Sequence, residues 1–195
     1  MWNDVWRLLD SGGPVMLPLL GISLALWYAL GYRAVVLRRG SPRSVRRILE
    51  RYARGQGRSP RGLVDRAAQR ALAVAALNPP HLRHHLEDAL ADLEVVAGRY
   101  RRTVLTLVGA APLLGLLGTV MGMIETFDSL GSQALFRQGG GIAGGIAQAL
   151  VTTQMGLAVA IPGLVVGRIL DRREQHIQRE LAQIKDLICS GQVKA

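Results

Sequence analysis

The sequence predicts an all-α fold: an integral membrane protein with three transmembrane helices and long cytoplasmic helical extensions. Two observations carry that prediction. Residues 11–32, 103–124 and 138–167 contain no Asp, Glu, Lys or Arg, and about 20 apolar residues suffice to cross a bilayer as a helix. The 24 basic residues, set against 14 acidic ones, crowd outside those stretches. Hydrophobic residues make up 49% of the 195, and mean hydropathy is +0.22 despite a net charge of +10. Apolar and basic residues must therefore be segregated into blocks. Three helices of this length buried in a soluble core would need far more covering protein than the chain supplies.

The first stretch is expected to be a permanent anchor and not a cleaved signal peptide. A signal peptide has a basic region ahead of its apolar core. Here Asp4 and Asp10 outnumber Arg7 before the stretch, and Arg33, Arg38 and Arg39 follow it. Residues 38–102 carry 15 arginines against 6 acids, and Arg168, Arg172, Arg173, Arg179, Lys185 and Lys194 lie at the C-terminal end. Only Arg7 and Arg137 fall on the opposite side. Cytoplasmic segments of membrane proteins carry the excess of Lys and Arg, which predicts a periplasmic N-terminus and a cytoplasmic C-terminus. The expected organisation is a periplasmic N-terminus over 1–13, a transmembrane helix over 14–37 and a cytoplasmic helical loop over 38–102. A second transmembrane helix over 103–128, a periplasmic loop over 129–138, a third transmembrane helix over 139–169 and a cytoplasmic helix over 170–195 follow.

The basic loop reads as helical. Ser41-Pro42, Ser59-Pro60 and Asn78-Pro79 each place a capping residue before a proline, the arrangement that opens a helix, and Gly55-Gln56-Gly57 closes the first. Leu82, Leu86, Leu90, Leu93, Ala97 and Tyr100 recur on one helical face. With no obvious stop before the second span, one continuous helix is expected from Pro79 to Asp128. The third span is expected to continue into Asp171–Ile188, where Ile177, Leu181, Ile184 and Ile188 form another stripe.

Several function classes are disfavoured. Aromatics amount to 5% and are not interleaved with the arginines, so nucleic acid is not an expected partner. Cys189 stands alone, which excludes an internal disulfide framework and a cysteine-only zinc site. His81, His84 and His85 cluster without a Cys or a close carboxylate shell, so no metal is expected. Neither a phosphate-binding loop with its lysine nor a G-x-S-x-G elbow is present. The chain is not expected to be an enzyme or to hold a cofactor.

The second and third spans are rich in small and polar residues. Gly115, Gly118 and Gly122 lie in one; Gly140, Gly141, Gly144, Gly145, Gly156, Gly163 and Gly167 lie in the other. Pairs spaced four residues apart let helices approach closely. The first span has fewer small residues and carries Trp27 and Tyr28, as a lipid-facing helix would. Thr119, Gln148, Thr152, Thr153 and Gln154 are polar at membrane depth. An unsatisfied polar group in hydrocarbon costs several kcal/mol, so these residues should face other helices or a wet pore. A threonine hydroxyl can bond its own helix one turn back, whereas the primary amide of Gln148 has more groups than a helix can satisfy. Neither inner span holds a titratable side chain in its uncharged core, and a proton path normally needs one. If protons move here, another chain must bring the carboxylate. Glu125 and Asp128, near the outer end of the second span, read as interfacial residues.

Two segments, APLLGLLGTVMGMIETF (Ala111–Phe127) and GGIAQALVTTQMGLAVAIPGLVVGRI (Gly144–Ile169), resemble the ExbB/TolQ/MotA proton-channel family, most closely its ExbB branch. Pro112, Gly115, Gly118, Thr119, Gly156 and Pro162 in combination carry the resemblance. It implies a bacterial inner-membrane complex in which five copies surround two copies of a single-span ExbD-like partner, amid membrane lipids. An aspartate on that partner takes up protons, and the resulting rotation passes work to a TonB-like protein that energises outer-membrane transport. By this resemblance Thr119 and Thr153 are pore-facing, with Gln148 and Thr152 also lining the proton pathway. Pro112, Gly115, Gly118, Gly122, Gly144, Gly156 and Pro162 pack the helices. Gln148 stands where ExbB and TolQ commonly have a glutamate. A TolQ-like envelope-maintenance subunit and a non-conducting membrane scaffold remain as alternatives; a MotA-like stator subunit would have four spans and a larger cytoplasmic domain.

Overall fold

A computed structural model describes residues 12–38, 40, 44–55, 60, 62–77, 79–131 and 141–191. The helix starts predicted at Ser41-Pro42, Ser59 and Asn78, the glycine at 140, and Arg7 and Arg137 lie outside the described residues. A 3-10 turn at Gly13–Val15 leads into α1 (Met16–Val36). There follow α2 (Val45–Ala53), α3 (Leu63–Ala76), α4 (Leu82–Gly98), α5 (Arg101–Gly131) and α6 (Gly141–Cys189). The fold is all-α, with no strand among the described residues. Three stretches are long and apolar enough to cross a membrane, within Gly13–Val36, Leu82–Leu130 and Ile142–Cys189.

By its internal contacts the chain forms two compact units. One joins Met1–Leu30 to Arg102–Gly167; the other joins Gly31–Arg101 to Arg168–Ala195. The divisions fall within three residues of Arg33, Arg102 and Arg168, where the uncharged stretches end.

In the first unit α5 and α6 meet along a seam of glycines. A Cβ on Gly122 would lie 2.6 Å from the Gly145 carbonyl oxygen and 2.9 Å from the Ala149 nitrogen. A Cβ on Gly156 would lie 2.8 Å from the Ala111 carbonyl oxygen and 3.2 Å from the Gly115 Cα. On Gly115 it would meet the Thr152 carbonyl oxygen at 3.1 Å, and on Gly118 it would collide with the Thr152 side chain. Those of Gly115, Gly122 and Gly156 are backbone-to-backbone approaches that only hydrogen on Cα allows. Gly145 is pressed against Thr126 and Gly122. Pro112 and Pro162 sit inside the two helices, as membrane helices tolerate. From α1, the buried Leu26 fills the space left by Gly163, beside Val108. Trp27 and Tyr28 are exposed.

The second unit is a helical bundle. Leu86, Leu90, Leu93 and Ala97 of α4 are buried, as are Ile177, Leu181, Ile184 and Ile188 of α6; these are the predicted stripes except for Leu82, which is half-buried, and Tyr100, which lies beyond the end of α4. Ile48 and Leu49 of α2 and Val64, Ala67, Ala68 and Ala71 of α3 complete the core. Burial, followed by the nearby Asp65 carboxylate, raises the Tyr52 phenol above its ordinary pKa of 10.0, against the opposing pull of Arg51. Tyr52 therefore stays neutral through the physiological range.

Two expectations about helix ends are corrected. The loop helices begin three residues after Pro42, Pro60 and Pro79, at Val45, Leu63 and Leu82. Gly62 is extended (φ −150°, ψ −179°) and His81 is left-handed (φ 62°), so neither can belong to the helix it precedes. The Leu63 N–H, one of the donors a first turn leaves unpaired, donates to the Arg38 carbonyl at 3.1 Å. Nor is the helix continuous from Pro79 to Asp128. It stops at Gly98; Arg99 is extended (φ −60°, ψ 140°) and Tyr100 is left-handed (φ 64°). A side chain in that conformation costs about 1–2 kcal/mol, and ring contacts offset it. Tyr100 and Tyr32 meet edge to face at 5.1 Å, and the Arg99 guanidinium lies 5.4 Å and 6.0 Å from the two ring centres.

A buried charge cluster ties α1 to α6 within this unit. Arg33 is 1% exposed. One of its terminal nitrogens donates to Asp171 Oδ1 at 2.9 Å and to Glu174 Oε2 at 2.7 Å. Arg101 approaches Asp171 at 3.7 Å, and Gln178 donates to Glu174 at 3.3 Å. Lys185 on α6 bonds Glu94 on α4 at 2.8 Å.

Both features make predictions about the detergent-solubilised chain. Gly122→Val forces the seam apart and should cost about 1–3 kcal/mol, the usual range for overpacking. Gly109→Ala, with nothing within 4 Å of the new Cβ, should leave the thermal midpoint unchanged. Equal midpoints for the two variants would refute the seam. Arg33→Met leaves the buried Glu174 without its cation and should cost roughly 3–5 kcal/mol, while Arg33→Lys recovers part of the loss. An unshifted midpoint for Arg33→Met would mean the cluster holds nothing together.

Candidate functional site

Of the polar residues singled out at membrane depth, Thr152 and Thr153 sit on the α5–α6 seam. Thr152 and Thr153 are adjacent on α6, so the helical turn of about 100° per residue sends them to different surroundings. Thr152 is 1% exposed and faces Gly118. Its hydroxyl donates to the carbonyls of Gln148 and Ala149, each at 3.0 Å. Thr153 is half-buried. Its hydroxyl lies 3.1 Å from the Ala149 carbonyl of its own helix and 3.3 Å from the Gly115 carbonyl across the seam.

Thr119 stands one turn beyond Gly115 on α5, half-buried, and donates to the Leu116 carbonyl at 2.6 Å. Every one of these three hydroxyl protons is thus engaged with backbone, which leaves oxygen lone pairs free to accept. Gln148, one turn before Thr152, is half-buried with its amide against Gly13. Gly13 is itself left-handed (φ +63°), and a Cβ there would strike the Gln148 side-chain nitrogen. Among the described residues the Gln148 amide has no hydrogen-bond partner, so water or another chain must satisfy it. Gln154 is exposed.

Two polar features escaped the sequence reading. Thr126 is 5% exposed, donates to the Gly122 carbonyl at 2.8 Å and abuts Gly145. The four-residue spacing from Gly122 was the available signal. The Arg33–Asp171–Glu174 cluster is the other; its signal in the sequence is that these are among the first charges beyond two uncharged stretches on the same side.

The chemistry on offer is therefore hydrogen bonding without titration. Buried acids among the described residues are Asp65, Glu174 and Glu180, all outside the uncharged stretches. Around the seam the large side chains are left uncovered: Leu116, Val120, Phe127, Leu150, Leu157 and Ile161 are all more than 40% exposed. That apolar surface suits lipid or further membrane helices.

Comparison with known sequences places these residues in a family. The ExbB-like 3 biopolymer transport protein of Synechocystis sp. is 32% identical over 195 aligned residues, covering 90% of this chain and 90% of that one. The ExbB-like 1 protein of the same organism is 38% identical over 183 residues, 84% of this chain and 70% of the relative. The biopolymer transport protein ExbB of Neisseria gonorrhoeae is 36% identical over 83 residues, 42% and 37% of the two chains. Residues 58–183, which include α5, most of α6 and the seam between them, match the MotA/TolQ/ExbB proton channel family, and the chain belongs to that family.

Proposed function

We propose that this chain is the ExbB-like subunit of an inner-membrane, proton-driven motor. In this reading several copies, five by family resemblance, surround a single-span ExbD-like partner that carries an intramembrane acid, and the assembly works on a TonB-like protein. The observation that carries the reading is the unsatisfied Gln148 amide beside three backbone-engaged threonines, in uncharged stretches without a titratable group. Such a surface solvates a proton carrier but cannot be one. Thr119 and Thr153 are assigned to the pore, with Gln148 beside them. Thr152, inside the seam, acts on the pathway by holding the α6 backbone that presents Gln148 and Thr153. The exposed apolar residues of α5 and α6 support contacts with neighbouring copies and lipid.

The decisive experiment is proton flux into liposomes, measured with and without the acid-bearing partner. The chain alone should conduct no protons above background, because its inner spans have no group that titrates near neutral pH. Flux should appear when the partner is co-reconstituted and vanish when the partner's acid is replaced by its amide. Substantial flux through the chain alone would overturn the assignment of the carrier.

Thr119→Val and Thr153→Val test the pore residues, since valine keeps the shape of threonine and removes the hydroxyl. Each should leave expression and assembly nearly intact and abolish energised uptake. Gln148→Ala should harm uptake less than either, and Gln148→Glu should be tolerated. If both valine variants support normal uptake, the hydroxyls serve only their own helix backbone and the non-conducting scaffold becomes the better reading.

A further inference from the structure

Beyond the end of α1 the second unit has a basic groove that the proton chemistry does not use. Leu37, Arg38, Arg172, Arg173, His176 and Ile177 line a cavity of about 380 Å³. Leu37 and Ile177 are buried and make its apolar floor; Arg38, Arg172, Arg173 and His176 are exposed around it. No acid is among the lining residues.

The pairing of charges sets this groove apart from its surroundings. Arg33 and Arg101 are taken by Asp171 and Glu174, and His176 lies 3.3 Å from Glu180. Among the described residues no carboxylate is within ion-pair distance of Arg38, Arg172 or Arg173. A lone exposed arginine is ordinarily just solvated. Three that converge, one from the segment after α1 and two from α6, on a concave apolar surface repel one another, and an anion relieves that repulsion. The carbonyls at the end of α1 oppose an anion only weakly, because the N–H groups of Leu37 and Arg38 already occupy those of Arg33 and Val35.

The position selects the anion. Arg38 is the second charged residue after the first uncharged stretch, and Arg172 and Arg173 lie one turn beyond Arg168, which ends the third. That is the depth of lipid headgroups if these stretches cross the membrane, and basic pockets at the cytoplasmic ends of membrane helices attract anionic lipid. We propose that this groove binds an anionic phospholipid. The guanidiniums take the phosphate oxygens through paired, charge-assisted hydrogen bonds, and Leu37 and Ile177 receive the glycerol and the upper acyl chain. A free phosphate would leave that apolar floor unused.

The proposal stands apart from proton transport and is tested without it. The purified full chain is titrated in neutral detergent with phosphatidylglycerol or phosphatidylcholine. Retained lipid is counted by native mass spectrometry and the thermal midpoint is followed. Phosphatidylglycerol should be retained preferentially and raise the midpoint. The triple variant Arg38→Gln/Arg172→Gln/Arg173→Gln should lose that preference by about tenfold or more. The matched variant Arg47→Gln/Arg54→Gln/Arg70→Gln, which removes three exposed arginines of the same unit, should keep it. Unchanged preference in the first variant, or equal loss in the second, overturns the site. Stabilisation by glycerol phosphate or inorganic phosphate equal to that by phosphatidylglycerol overturns the lipid as occupant. If circular dichroism shows the triple variant unfolded, Arg38→Gln and Arg172→Gln singly decide the matter: each should give a partial loss, and full preference in both refutes the proposal.

Discussion

The backbone contact between α5 and α6 sets the rest of the membrane unit. Apolar side chains gain little by leaving lipid for another apolar surface, so membrane helices pack through close van der Waals contact and small residues. Here Gly122 lies over the Gly145 carbonyl and Gly156 over the Ala111 carbonyl, with no side chain between them. Sliding one helix by a residue would bring a Cβ onto a carbonyl oxygen. The register is therefore fixed, and with it the fate of each polar group. Thr152 is enclosed against Gly118, Thr153 reaches the Gly115 carbonyl at the seam's edge, and Gln148 is left at the margin beside Gly13. The same economy turns the large apolar residues outward, where other membrane components must cover them.

The features legible in the sequence were those that composition and periodicity encode. Charge exclusion marked the three spans, and the stripes on α4 and on the end of α6 marked the faces that bury Leu86, Leu90, Ile177 and Leu181. Features decided by partners distant in the chain were not legible. Tyr100 is a poor candidate for a left-handed residue by itself; Tyr32 and Arg99 hold it there, and Gly98, the nearest local breaker, was too weak a sign alone. Arg33 looks like any arginine that ends a span until Asp171 and Glu174 are brought against it. The glycines at the start of α6 offer several pairs at four-residue spacing, and only the crossing point shows that Gly145 meets Gly122 and Thr126. Thr152 and Thr153 are equivalent in sequence and differ only by a third of a helical turn.

The hydrogen-bond inventory of the seam also says what kind of carrier it would suit. A protonated carboxyl needs an acceptor for its proton; a carboxylate needs donors. Thr119 and Thr153 have spent their protons on backbone carbonyls, so their oxygens are acceptors first and favour the neutral acid. The Gln148 amide has two N–H donors without a partner among the described residues and favours the ionised one. A helix bearing a single acid that moved past these groups would meet a surface for each protonation state in turn, with no charge fixed on this chain to trap it. A glutamate at position 148 would invert half of that arrangement. It would offer an acceptor, or a second charge, where the amide offers donors. A glutamine at this position thus favours the ionised form of any acid that reaches it, and the backbone seam that positions it does not depend on that choice.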